Sequence, residues 1–435
     1  MALTMKNTGR GCALHGAIQT LQAIPGVVPI LHSSAGCGIQ HYLGAGTTSA
    51  HSGNFIPSTN VAEKQVVFGG TSRLREQIKN TVRLIEGELY VVLGGCATEL
   101  VGDDIPAMAK ESREQGYPVI DIACPGFRGD AYTGYQLAIQ GLIRHLATST
   151  NLSSEAKVPG LVNVFGVVPG QNAFWEGDLA EIRSLLEQVG LQANIFFGEG
   201  AGIEQWKILP RAELNVTLSS WGLPAVRSLQ ELYGTPYADC PYLPVGESAT
   251  KEFLQSIIVA LPNTKVRVEA LTERGGRSWS YYLGRVADAY MKNNFQKEFA
   301  LVAETAQGLG LLKCLTQDYG LIPKVWAISD APTVEAQAVI QGEVNKLAVS
   351  VRPQIVYSGD VGEIHDLIRA SAVELILGSS LEIKVSRELD IPLLQISFPL
   401  TDKIILGRTY AGYRGGLTLL EDLGNEIIAN EQGGK

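Results

Sequence analysis

The chain has 435 residues, 45% of them hydrophobic and 18% charged, with 35 basic against 44 acidic side chains and a net charge of −9. That length allows two or three domains with cores of their own, and the acidic excess excludes nucleic acid or an anionic membrane surface as expected partners. No apolar run approaches the roughly 18 residues that span a bilayer, and the first ten residues lack the apolar core of a signal peptide, so the expected location is the cytoplasm.

Short apolar β-rich runs alternate with helical patterns along nearly the whole chain. Leu74, Ile78, Val82 and Ile85 recur at intervals of three or four, the apolar stripe of a helix. Leu89–Leu93 is expected to be a fully buried strand closed by Gly94 and Gly95, and Pro118–Ile122 a second. Tyr135, Ala138, Leu142 and Leu146 mark the helix after it, and the polar stretch Thr148–Lys157 has the composition of a linker. Strands are expected again at Leu161–Phe165, Ala193–Phe197 and Glu213–Leu218, then a helix over Trp279–Lys297 with Tyr282, Val286 and Tyr290 on one face. A third start at Glu298–Val302 leads to strands near Val325–Ile328, Ile355–Tyr357 and Leu375–Leu377. This succession builds mostly parallel sheets covered on both faces. The chain is therefore expected to be an α/β protein of three Rossmann-like domains, over residues 1–150, 158–297 and 298–435. No Gly-x-Gly-x-x-Gly or P-loop motif follows any of these strands, so no ATP or dinucleotide site is expected. Gly308-Leu-Gly310 lies inside a helical pattern, where close packing explains it better.

Six cysteines in a cytoplasmic chain do not suggest a disulfide framework. Three of them share a setting: Gly11-Cys12-Ala13, Gly36-Cys37-Gly38 and Gly95-Cys96-Ala97. Glycine lets a backbone turn sharply and approach a bulky inorganic body. Cys96 follows the carboxyl end of a buried strand, where open α/β sheets place ligands. Thiolates on separate glycine loops suit an iron–sulfur cluster. Zinc competes, but the usual Cys-x-x-Cys pairing is missing, and buried small apolar residues are what most free cysteines are. A common cluster takes four thiolates, so three leave it to be completed elsewhere in the chain or by a partner. Cys124, Cys240 and Cys314 are expected in the core.

The surrounding text resembles component 1 of the nitrogenases, and the cysteine spacing is that of its β-type subunit. Leu31-His-Ser-Ser-Ala-Gly-Cys37, Val67-Phe-Gly-Gly70, Cys96-Ala-Thr-Glu-Leu-Val-Gly-Asp-Asp104, Ser397-Phe-Pro-Leu and Gly412-Tyr-Arg-Gly415 carry the likeness over nearly the whole chain. The resemblance implies three Rossmann-like domains around a cleft and an αβ pair doubled to a heterotetramer. It also implies an eight-iron, seven-sulfur P-cluster between the subunits, here on Cys12, Cys37 and Cys96, with a four-iron cluster as the alternative. Gly11, Gly36, Gly38, Gly95 and Gly126 would shape its pocket. Electrons would come from an ATP-hydrolysing iron protein and pass to a catalytic cofactor in the α-type subunit. That cofactor is held in the family by a cysteine of the second domain and a histidine near the C-terminus. Here Leu214–Trp221 offers serines, and no histidine lies between Ser397 and Gly416.

Two departures from the family bear on substrate. The segment before Cys12 is short, and Gly126 stands where the family has a serine that can ligate the oxidised P-cluster. The text is more similar to the divergent nitrogenase-like reductases, such as methylthio-alkane reductase, than to a dinitrogen-reducing β subunit. A true nitrogenase β subunit, a cofactor-assembly scaffold and a tetrapyrrole reductase component are the alternatives. Glu99, Asp103 and Asp104 are expected as solvated or helix-capping carboxylates beside the cluster.

Overall fold

The computed structural model describes residues 11–44, 56–149, 156–262 and 267–433. Every strand pair in its three sheets is parallel, and each sheet comes from one consecutive stretch of chain. The first stretch carries helix α1 (Ala13–Gln22), strand β1 (Val27–His32), α2 (Ala35–Gly44), α3 (Glu63–Phe68), α4 (Thr71–Leu84), β2 (Leu89–Gly94), α5 (Cys96–Val101), α6 (Ile105–Glu114), β3 (Val119–Ile122) and α7 (Ala131–Ser149). Its sheet order is β1-β2-β3. Val91, Val92 and Leu93 of the central strand are wholly buried, as their unbroken apolar run requires.

The second stretch carries β4 (Val158–Phe165), α8 (Trp175–Gln188), β5 (Gln192–Asn194), α9 (Ile203–Lys207), β6 (Ala212–Thr217), α10 (Leu223–Tyr233), β7 (Tyr237–Asp239), α11 (Gly246–Ala260) and α12 (Val268–Lys292), with order β5-β4-β6-β7. The third carries β8 (Glu298–Ala303), α13 (Thr305–Lys313), β9 (Ile322–Ile328), α14 (Val334–Lys346), β10 (Gln354–Tyr357), α15 (Val361–Ala370), β11 (Leu375–Gly378), α16 (Ile383–Leu389), β12 (Leu393–Gln395) and α17 (Gly412–Gly433), with order β10-β9-β8-β11-β12. That last order reverses between β8 and β11, the topological switch point at which such sheets take ligands.

The helix expected over Trp279–Lys297 runs instead over Val268–Lys292. Gly275 and Gly276 resemble a break in the sequence, but Gly275 lies against the Tyr413 ring, where a Cβ would sit 2.6 Å from Cε1. Tertiary packing carries the helix through them. Tyr282 is half exposed, while Val286 and Tyr290 pack on the core. Gly308 and Gly310 are helical and close-packed as expected: a Cβ at either would enter Trp326 or the Leu243 carbonyl. The last helix touches β12 of its own sheet and also packs on α11, α12 and α8 of the second stretch. Of the expected linker Thr148–Lys157, residues 150–155 lie outside the described residues.

Candidate metal centre

Each of the three glycine-flanked cysteines begins a helix beside the carboxyl edge of the first sheet. Cys12 precedes α1, after Gly11, whose φ of +60° lies in the left-handed region. Cys37 stands in the first turn of α2, and Cys96 is the first residue of α5, directly after β2. Packing fixes where these starts lie. α1 is pressed on α7 backbone to backbone: a Cβ at Gly16 would sit 1.9 Å from the Ala131 carbonyl oxygen, and one at Gly134 2.1 Å from that of Ala13.

The three loops then close on one another. The Gly95 N–H donates to the His32 carbonyl at 2.9 Å, and a Cβ there would lie 2.1 Å from Ser33 Oγ. Ser33 Oγ in turn donates to Cys37 Sγ at 3.1 Å. His15 Nδ1 lies 3.4 Å from Cys12 Sγ, and its Nε2 lies 3.1 Å from the Cys37 carbonyl oxygen. Gly126 faces two of the sulfurs at once: a Cβ would stand 3.0 Å from Cys12 Sγ and 3.1 Å from Cys96 Sγ. Gly36 and Gly38 open on space instead, with nothing nearer than 3.9 Å to an added Cβ.

Burial separates the six thiols into two sets. Cys12, Cys37 and Cys96 are half-buried and unpaired; Cys124, Cys240 and Cys314 are fully inside. Burial pushes the thiols of Cys124 and Cys314 well up, and that of Cys240 up to about 12, which keeps all three protonated. Burial also raises Cys12, but the bond to His15 and that ring's positive charge outweigh it, so this thiol lies below its ordinary value. His15 is held above its own by the same contacts, against burial. Among the described residues no three His, Cys, Asp or Glu side chains converge as ligands of a single ion. Thiols spread around a shared opening suit a larger body than one zinc ion. The donor set is soft, and a cluster with sulfur ligands fits it.

Within the Gly-Asp-Asp run, Asp103 departs from the solvated or helix-capping role expected of it. Asp103 is not solvated: its side chain is 4% exposed, with Oδ2 2.9 Å from His32 Nε2 and Oδ1 accepting the Gly70 N–H at 2.7 Å. It thereby joins the Val67-Phe-Gly-Gly70 turn to the Cys37 loop. His32 Nδ1 lies 3.1 Å from Thr59 Oγ1, and burial holds the ring below its usual value despite Asp103. Asp104 caps α6 by accepting from the Ala107 N–H at 3.0 Å, as a helix-capping carboxylate should. Glu99 lies beside Gly94, whose added Cβ would meet its Oε1 at 2.5 Å. Sequence reasoning missed His15 and Ser33: each lies within four residues of the sulfur it contacts but carries no motif of its own, and the second partner of His15, the Cys37 carbonyl, is 22 residues away.

Around the cysteines lies an apolar rim. Ile39 beside Cys37 is 59% exposed, Phe68 at the end of α3 82%, Leu100 in the Cys96 helix 77%, and Phe127 beside Gly126 61%. By contrast, the cleft at the switch points is filled. Trp221 donates its Nε1–H to Asp330 Oδ2 at 2.7 Å and stacks on Tyr132 with ring centres 5.1 Å apart. Two cavities remain there, one of about 30 Å³ bordered by Tyr132, Ser379 and Ser397, the other of about 10 Å³ bordered by Leu218 and Glu304. Such volumes hold a water or two and no large cofactor. Of the two serines of Leu214–Trp221, Ser219 is buried and donates to the Gly166 carbonyl at 2.6 Å.

Three all-parallel sheets about a filled cleft, with half-exposed thiols gathered at the edge of the first, define a subunit of a multi-domain α/β oxidoreductase. The family described as nitrogenase component 1 type oxidoreductase matches residues 12–428, and the chain belongs to it as a β-type member. It is 24% identical to the nitrogenase molybdenum-iron protein beta chain of Clostridium pasteurianum, over 97% of this chain and 93% of that one. Identity to the corresponding chain of Azotobacter vinelandii is 23%, over 98% and 84%. A solved structure titled "Nitrogenase Cp1 at pH 6.5" superposes with a TM-score of 0.80 at 24% identity, covering 99% of this chain and 94% of that one. No described helix is long and apolar enough to cross a membrane.

Proposed function

We propose that this chain is the electron-relay subunit of a nitrogenase-like reductase, holding its half of an iron–sulfur cluster on Cys12, Cys37 and Cys96. One observation carries this: Gly126 faces the accessible thiols of Cys12 and Cys96, His15 ties the accessible Cys37 loop to Cys12, and an apolar rim that no part of the described chain covers surrounds them. When bound, such a cluster supplies reversible one-electron storage. The chain's own part is to hold and tune it. Gly126 leaves room between two sulfurs, Gly36 and Gly38 leave room beside the third, and Gly11 and Gly95 shape the loops. Ser33 directs a hydroxyl at Cys37.

Three thiolates leave a cluster open on one side, so the rim is the seat of an α-type subunit that completes it, in a heterotetramer of two αβ pairs. The P-cluster type is favoured over a four-iron cluster because all three β-side thiols are present and accessible. A scaffold for cofactor assembly needs fewer. The donor would be an ATP-hydrolysing iron protein, and the filled cleft leaves substrate chemistry to the α-type subunit. Gly126 and the divergent text favour a methylthio-alkane reductase-like enzyme over a dinitrogen-reducing one, both in the cytoplasm. The three sheets also support domains over residues 1–150, 158–297 and 298–435.

Anaerobic purification of the chain alone and with its genomic α-type neighbour tests the interface. Copurified complex should carry iron and acid-labile sulfide that the lone chain loses on desalting, because metal binding stabilises only a complete site. Full, stable loading of the lone chain would contradict a shared cluster.

A further inference from the structure

We propose that His15 is a positioning residue that braces the Cys12 and Cys37 loops into one cluster-binding unit; this rests on the cluster reading above. The ring spends both nitrogens on the two loops, Nδ1 at 3.4 Å from Cys12 Sγ and Nε2 at 3.1 Å from the Cys37 carbonyl oxygen, across 22 residues of sequence. The two helices concerned are held very differently. α1 is locked by its backbone contact with α7 at Gly16 and Gly134. α2 has Ala35, Gly36, Ile39 and Gln40 exposed, so its cysteine end depends on ties such as Ser33 and His15.

A second tie repeats the design one helix-length away. His41 of α2 stacks on His15 with ring centres 5.8 Å apart, and its Nε2 lies 3.1 Å from Gln22 Oε1 at the far end of α1. The pair thus ties the more exposed α2 to the packed α1 at two points, His15 and His41. A polar residue with no such task would not place both ring edges on cysteine loops. Side chains that orient ligands in this way commonly change metal affinity by about 10- to 100-fold when removed.

The test compares His15→Leu, which keeps bulk but no nitrogens, with His15→Gln, whose amide can reach both partners. In the copurified complex, His15→Leu should lose iron to a chelator about tenfold faster and shift the midpoint and line shape of the cluster's EPR signal. In the full chain without metal, it should speed alkylation of Cys37 by iodoacetamide several-fold while leaving Cys96 unchanged. His15→Gln should restore most of each property. Unchanged iron loss, EPR and Cys37 alkylation in His15→Leu would overturn the brace. If Cys12→Ala and Cys96→Ala also leave iron unchanged, the cluster reading itself fails; if they abolish it, only the brace does.

Discussion

At the scale of single residues, the site is decided by who touches which sulfur. Gly126 is the most exposed to test. An added Cβ would stand 3.0 and 3.1 Å from two sulfurs, closer than nearly all real contacts, so those sulfurs must give way. Gly126→Ala should therefore weaken iron retention without unfolding the chain. Gly126→Ser adds a hard oxygen between the same sulfurs and should create a new or shifted oxidised-state EPR signal. An unchanged redox titration would remove Gly126 from the site. Asp103 is a different kind of residue, since its carboxylate serves His32 and the Gly70 N–H inside the protein. Asp103→Ala leaves buried polar groups unpaired, at about 1–3 kcal/mol each. Chemical denaturation should show that loss of stability, with no iron ligand removed.

At the scale of elements, helix contacts set the sulfur positions. Gly134→Ala forces a methyl into the Ala13 carbonyl and must push α1 off α7. Overpacking of this kind costs about 1–3 kcal/mol, and here it also moves Cys12. Both the unfolding midpoint and iron retention should fall, whereas Gly342→Ala, on α14 with open space around it, should raise the midpoint slightly through its better helix propensity and leave iron retention unaltered. Elements with strong patterns were legible in sequence: the buried run of β2 and the stripe of α4 lie where periodicity puts them. β1 was not, because Pro29 interrupts it; an edge strand tolerates that proline, and β1 is the edge of its sheet. The start of α12 was hidden by Gly275-Gly276, and the buried role of Asp103 by its distance in sequence from His32. The glycine settings of the three cysteines are legible from local residues, whereas Gly126 enters the pocket only through the family resemblance, and the fold shows that it faces the sulfurs of Cys12 and Cys96.

At the scale of the whole molecule, the filled interdomain cleft makes stability depend on pH. Burial pushes the Asp178 carboxyl up to about 6, and burial together with Asp330 pushes Glu304 up to about 8. An ordinary carboxyl titrates near 4. Between that value and the folded one, the native state holds more protons than the unfolded state, so stability falls as pH rises from about 4 to 8 and is level above. For Asp178→Asn that contribution disappears. Its denaturation midpoint should approach or overtake that of the unaltered chain on going from pH 5 to pH 8; a gap that widens would contradict the sign. The uncovered rim makes a second whole-molecule prediction. Phe68 and Phe127 stand exposed in one apolar rim, the kind of surface that receives a partner. Phe68→Ser with Phe127→Ser should reduce copurification with the α-type subunit about tenfold or more, while circular dichroism of the chain stays unaltered. Iron and acid-labile sulfide counts on copurified complexes carrying one Cys→Ala change each decide whether Cys12, Cys37 and Cys96 hold the cluster. The cluster proposal predicts severe loss for these three and full counts for Cys240→Ala and Cys314→Ala, whose buried thiols cost only packing. Full iron in Cys96→Ala, or its loss in Cys314→Ala, would contradict it.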